Sequence, residues 1–112
     1  MGEINWRDNW DSALAEATQA DRRILLELYM DGCPHCTRLH TETHTDASVA
    51  QTVNSQYIPV KLEGRSHMDI VKKFNVTGAP TTLIFSPNGL ELHRFPGYYP
   101  PQEYLEQLEK AG

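Results

Sequence analysis

Hydrophobic and polar positions along this chain follow two rhythms in turn, one helical and one alternating. From Asp8 to Ala20, Trp10, Leu14 and Ala17 recur at helical spacing among further alanines, and Asp8 or Asn9 is placed to cap a helix. Asp21-Arg22-Arg23 is a polar turn. Ile24 to Met30 then predicts a strand that is apolar on both alternating faces, the pattern of a strand covered on both sides. Asp31-Gly32 ends it, and a helix is predicted from Cys33 to about Thr41 with Pro34 in its first turn, where proline is tolerated. The threonines from Thr41 to Thr45 make a poor helix interior. Thr45 or Asp46 caps a further helix that carries Val49, Ala50 and Val53 on one face and runs to Asn54. Tyr57 to Leu62 is a second strand, and its Pro59 suits a sheet edge or a strand start. Ser66 is expected to cap a short helix with Met68, Ile70, Val71 and Phe74 inward. Thr77-Gly78-Ala79-Pro80 is a turn, and Thr81 to Phe85 is a third strand. Ser86-Pro87-Asn88-Gly89 makes a hairpin to Leu90 through Phe95. Pro100 to Lys110 closes the chain as a helix with Tyr104, Leu105 and Leu108 inward.

This order, a helix followed by β-α-β-α-β-β-α, predicts an α/β domain with helical crossovers between parallel strands and one appended hairpin. At 112 residues there is room for a single domain spanning 1–112. No apolar run approaches a membrane span. A formal net charge of −5 argues against a phosphate-backbone partner and suits a soluble monomer. The start, Met1 to Trp6, lacks the basic and apolar segments of a signal peptide. That leaves a cytoplasmic protein or a mature domain without its leader.

The chain uses cysteine only twice, three residues apart, in Cys33-Pro34-His35-Cys36. A disulfide-stapled scaffold would need more, so the pair points to chemistry or metal. In the first turn of a helix the two side chains share one face, at a separation a disulfide allows. Cys33, at the helix N-terminus, is expected to carry a lowered pKa and to attack. Cys36, one turn in and better covered, is expected to resolve. His35 adds a positive charge or an N–H donor beside the attacking sulfur. Zinc is the rival use of the same residues, because Cys36, His40 and His44 follow at i, i+4 and i+8. Ligands eight residues apart on a straight helix stand about 12 Å apart, so zinc would need a break there.

These residues resemble the thioredoxin-like thiol–disulfide oxidoreductases over nearly the whole chain. The strand into Cys33-Pro34-His35-Cys36, the segment Thr77-Gly78-Ala79-Pro80-Thr81-Thr82-Leu83, and Gly97 before the last helix carry the likeness. Asp46 to Leu62 and the extra N-terminal helix resemble the subgroup related to the C-terminal domain of the bacterial reductant transporter DsbD and to small periplasmic thioredoxins. The Cys-Pro-His-Cys set is also that of strong periplasmic disulfide oxidases, but those carry a large helical insertion for which this chain is too short.

The resemblance implies a thioredoxin fold with a mixed four-stranded sheet. It implies that Glu27, six residues before Cys33, is a buried acid exchanging a proton with Cys36, and that Lys61 is its partner. It implies a cis peptide at Pro80 and a substrate groove at Gly32, Ala79, Pro80 and Gly97, with Tyr98 and Tyr99 near its edge. The family's tryptophan before the first cysteine is Gly32 here, and its apolar ring at position 44 is His44. His40, His67 and His93 are expected on the surface, and His44 as packing. The implied activity is exchange with protein disulfides, more in the reducing direction, with no cofactor beyond the cysteine pair and with an upstream redox partner protein. An extracytoplasmic, periplasmic site is slightly favoured. The rivals are a zinc module built on Cys33, Cys36 and His40 or His44, and a thioredoxin-fold adaptor without turnover.

Overall fold

The computed structural model describes residues 3–112; Met1 and Gly2, part of the start read for a leader, lie outside the described residues. Five α-helices and four strands follow the order α1 (Trp10–Ala20), β1 (Arg23–Tyr29), α2 (Pro34–Arg38), α3 (Ala47–Gln56), β2 (Tyr57–Glu63), α4 (Met68–Lys73), β3 (Thr81–Phe85), β4 (Glu91–Pro96) and α5 (Pro101–Lys110). Asn9 caps α1 by accepting from the Ser12 N–H, and Asp46 caps α3 by accepting from the Val49 N–H. Ser66 does not cap α4. It ends a one-turn 3₁₀ segment (Gly64–Ser66), and its own N–H donates to the Glu63 carboxylate at 3.1 Å.

The sheet order is β2-β1-β3-β4. β1 and β2 are parallel, joined through α2 and α3, whereas β3 runs antiparallel to β1 and to β4. The reversal of β3 follows from lengths. A six-residue α4 covers about 9 Å, but returning along the seven-residue β2 needs about 23 Å. The chain therefore enters β3 at the end of the sheet where β2 stops. Leu28 of β1 pairs with Thr81, and Thr81 pairs with Pro96 of β4, so the segments before β3 and after β4 meet the chain leaving β1. β2 is an edge strand, as Pro59 requires, and Arg7 lies along its outer side. The Arg7 N–H donates to the Pro59 carbonyl at 2.8 Å, and the Lys61 N–H donates to the Arg7 carbonyl at 3.0 Å.

Alternation in β1 sorts the core. Ile24, Leu26 and Leu28 join Trp10, Ala13, Ala17, Val60, Leu83 and Phe85 on the α1 and α4 side. Leu25 joins Leu39, Val53, Ile84 and Tyr104 on the side of α2, α3 and α5. Glu27 shares the face of Leu25, so its carboxylate points into the layer beneath the helix that carries the cysteines.

Candidate active site

Cys33 and Cys36 are free thiols at the start of α2. Gly32 turns the chain out of β1 with φ +79°, and Cys33 then sits at the N-cap position with extended backbone. The Cys36 N–H donates to the Cys33 sulfur at 3.2 Å. Cys33 is half-buried, whereas Cys36 is only 1% exposed. Burial pushes the Cys36 thiol up to about 12, reinforced by the Cys33 sulfur beside it and by the charges of Cys33 and Glu27. One sulfur is thus reachable from solvent, and its mate is held as a protonated thiol.

Opposite them, Ala79 and Pro80 form a cis peptide. The Cys33 thiol donates to the Ala79 carbonyl at 3.7 Å, and the Gly97 N–H donates to the Pro80 carbonyl at 2.7 Å. Gly97 has φ +96°, and a Cβ on Gly32 or Gly97 would meet nothing within 4 Å. Both glycines are required by backbone conformation and leave open space around the reactive sulfur.

Glu27 is fully buried. In register it lies between Lys61 on β2 and Thr82 on β3. The Thr82 hydroxyl donates to Oε1 at 3.1 Å, and His40 Nε2 meets Oε2 at 3.3 Å. Burial raises the Glu27 pKa, and His40, Thr82 and the charge of Lys61 pull it partly back.

These features are matched elsewhere. A family described as a thioredoxin-like domain matches residues 10–112. The chain belongs to the thioredoxin-like family. Over the matched residues it is a homologue of DsbD. It is 31% identical over 94 residues to the thiol:disulfide interchange protein DsbD of Haemophilus ducreyi, covering 80% of this chain and 16% of that protein. It is 28% identical over 105 residues to DsbD of Ralstonia nicotianae, covering 90% and 17%. The chain therefore spans about a sixth of the length of these curated relatives. A thioredoxin from Thermus thermophilus superposes with a TM-score of 0.85 at 22% identity, covering 98% of this chain and 87% of that one. The DsbD C-terminal domain of Neisseria meningitidis in its oxidised form gives 0.77 at 17% identity, covering 96% and 99%. At these identities the superpositions speak for the fold.

Within this thioredoxin-like domain the residues expected at the site fall into three groups. Cys33, Pro34, Cys36, Gly32, Ala79, Pro80 and Gly97 gather at one end of the sheet. Glu27 lies buried behind them. His35 lies exposed at the helix start, and Lys61 lies on β2, next to β1. It stands beside Glu27 in register, but its ammonium lies over the rings of Trp6 (5.4 Å) and Tyr29 (5.6 Å). It acts on Glu27 through its charge, and the hydrogen-bonding partners are His40 and Thr82.

His40, expected on the surface, is the residue that sequence reasoning missed. After Arg38 the helix widens to a π turn, Leu39–Thr43, closed by the His44 N–H donating to the Leu39 carbonyl at 3.0 Å. The threonine hydroxyls bond the backbone within and beyond this turn; that of Thr43 donates to the Tyr99 carbonyl at 2.6 Å. His40 packs edge-on to Tyr29 (5.1 Å) and stacks on His44 (5.2 Å). The signal was present in the spacing Cys36, His40, His44. That spacing puts His40 one turn below a buried cysteine, on the face turned toward the sheet. Among the described residues no three His, Cys, Asp or Glu side chains converge as a metal site. His44 is sealed among the rings of Trp6, His40 and Tyr104, which is the packing role expected of it. His67 and His93 are half-buried and hydrogen-bonded, to the Glu63 carbonyl and to Gln107.

Proposed function

We propose that this domain reduces protein disulfides. A thiolate at Cys33 attacks one sulfur of a substrate disulfide, a mixed disulfide forms, and the substrate's second sulfur leaves with the bonding electron pair. Cys36 then attacks Cys33. The Cys33–Cys36 bond forms, the bond to substrate breaks, and the substrate departs as a dithiol. Glu27 accepts the proton that Cys36 must lose. The substrate is an extended segment that pairs with the Ala79 backbone in the gap between Gly32 and Gly97. No cofactor beyond the cysteine pair is required, and an upstream redox protein returns the electrons. The kinship with DsbD supports an extracytoplasmic setting.

The observation that carries the reducing direction is the burial of Cys36, only 1% exposed behind Cys33. A thiol held near 12 is a poor leaving group, so the Cys33–Cys36 disulfide is hard to reopen once formed. In a strong oxidase the reduced form is the stabilised one. His35 would pull toward oxidation, but its ring lies exposed, where solvent and salt screen it.

The test is equilibration of the pair against glutathione. The expected potential falls toward the thioredoxin end of the range, about −270 mV, rather than the oxidase end, about −120 mV. In parallel, Cys36→Ser should accumulate mixed disulfides with substrate proteins that Cys33→Ser does not form. A potential near the oxidase end would overturn the direction, and absence of any trapped species would overturn the exchange chemistry itself.

A further inference from the structure

Glu27 has no exposed surface, so a proton it takes from Cys36 must leave through a neighbour. Among the described residues, two side chains hydrogen-bond its carboxylate. Thr82 is 1% exposed and already donates its hydroxyl proton inward. His40 meets the other oxygen at 3.3 Å and keeps 20% of its side chain exposed. It is therefore the contact of Glu27 that also reaches solvent. The Tyr29 and His44 rings hold it from two sides.

We propose that His40 is the proton outlet of Glu27, a positioning residue that acts through the buried acid and sets the rate at which Cys36 resolves the mixed disulfide. This rests on the reading of Glu27 as acceptor of the Cys36 proton. The Cys36 S–H proton passes to the Glu27 carboxylate, and the resulting thiolate attacks Cys33. The Cys33–Cys36 bond forms as the Cys33–substrate bond breaks, and the electron pair leaves on the substrate sulfur. The cysteine pair is oxidised and the substrate reduced. The carboxylate is made ready for the Cys36 proton by loss of the Glu27 Oε2 proton to His40 Nε2, whose imidazolium releases it to water, so the relay limits how fast Cys36 can be ionised. One contact serves both states, with the carboxyl donating to the ring or the ring donating to the carboxylate.

The titratable groups facing His40 are few. Glu27 and Tyr29 approach from β1 and His44 from its own helical segment. Lys61 on β2 lies over the far partner Tyr29 and acts on Glu27 by charge. Arg38 and Glu42 pair with each other on the exposed side of the helix.

Stopped-flow mixing of the reduced protein with oxidised glutathione separates formation of the Cys33–glutathione disulfide from its resolution. His40→Gln keeps a hydrogen-bonding group but cannot relay a proton. It should leave formation unchanged, slow resolution by about tenfold near neutral pH, and change the pH dependence of resolution. In His40→Ala, added imidazole should restore part of the lost rate, which a structural role would not allow. Unchanged resolution in His40→Gln, or no response to imidazole, overturns the relay. Glu27→Gln separates the two readings. If it slows resolution while His40→Gln does not, the acid keeps its role and the relay fails; if it leaves resolution intact, both fail. Should the variants not fold, NMR of the wild type still decides. A relay requires the His40 ring and the Glu27 carboxyl to titrate as a coupled pair, and independent titrations would overturn it.

Discussion

Thr82 faces Glu27 directly across the β1–β3 pair, and its hydroxyl donates to Glu27 Oε1 at 3.1 Å, both groups being buried. A donor aimed at a carboxylate favours the charged form. Thr82→Val keeps the shape and the strand preference but removes that donor. Its expected effect is upward movement of the Glu27 pKa, already raised by burial. Carbon-detected NMR of the Glu27 carboxyl would read it. Movement downward, or none, would show that the hydroxyl is not holding the charge.

Glu27→Gln carries two consequences of opposite sign. The charge of Glu27 is one of the causes that raise Cys36, so its removal should let the Cys36 thiol ionise at lower pH. By nucleophilicity alone that would speed resolution. The substitution also removes the proton acceptor, and resolution should slow by about a hundredfold. Alkylation of Cys36 across pH in a Cys33→Ser background reads the first effect, and single-turnover resolution reads the second. A Cys36 that ionises more readily and resolves more slowly is the signature of an acid–base role. Faster resolution would reduce Glu27 to an electrostatic bystander.

The strands and their cover were legible because β1 is apolar on both faces and Glu27 interrupts it at one point. Pro59 pointed to an edge or a strand start, and β2 is an edge. The cysteine pair, the turn before Pro80 and Gly97 were visible as motifs, and the fold brings them to one end of the sheet. His40 could be read from the Cys36, His40, His44 spacing as lying on the face of the cysteine helix, but the π turn that follows, with its i to i+5 bond from His44 to Leu39, was not encoded by any local preference. The threonine run announced only a weakened α-helix. Lys61 was read on the strand next to Glu27, and it pairs with Glu27 in register, yet its side chain answers to Trp6, on an N-terminal segment that docks beside β2 through Arg7. That segment shows no periodicity from which docking could be read.

Gly32 tests the backbone rather than the chemistry. Its φ of +79° lies in the left-handed region, and a Cβ there would meet nothing within 4 Å. Gly32→Ala should therefore lower stability by about 1 kcal/mol from conformation alone. The reaction of Cys33 with a small disulfide should be unchanged, because the added methyl touches no residue around Cys33. Denaturant unfolding and the rate with oxidised glutathione read the two halves. Gly32→Trp, which restores the ring other thioredoxin-like proteins carry before the first cysteine, should lose a similar amount of stability. A stabilised Gly32→Ala would mean that the left-handed turn is not adopted in solution.

His44 gives the sharpest pH dependence. It is 5% exposed, and neither ring nitrogen has a hydrogen-bond partner among the described residues. Burial lowers its pKa to about 3, helped by the charges of His40 and Lys61. In the unfolded chain it titrates near 6.5, so below that pH the unfolded state binds a proton that the folded state refuses. The stability from a neutral His44 is therefore fully present above about pH 6.5 and is lost as pH falls, by about 1.4 kcal/mol per unit. His44→Phe substitutes the apolar ring, keeps the packing against Trp6 and Tyr104, and removes the slope. The variant should be the more stable at neutral pH, where it no longer buries two unpaired nitrogens. Its advantage should grow by about 2 kcal/mol between about pH 6.5 and pH 5. Glu27, whose raised pKa contributes in the opposite sense, is common to both proteins and cancels in the difference. Below that window Glu16, Glu42, Glu63 and Glu91, all held low by their partners, lose stability in both chains alike. Urea unfolding at matched pH measures the difference directly, and a gap that stays flat from neutrality to pH 5 would mean His44 is not held neutral in the core.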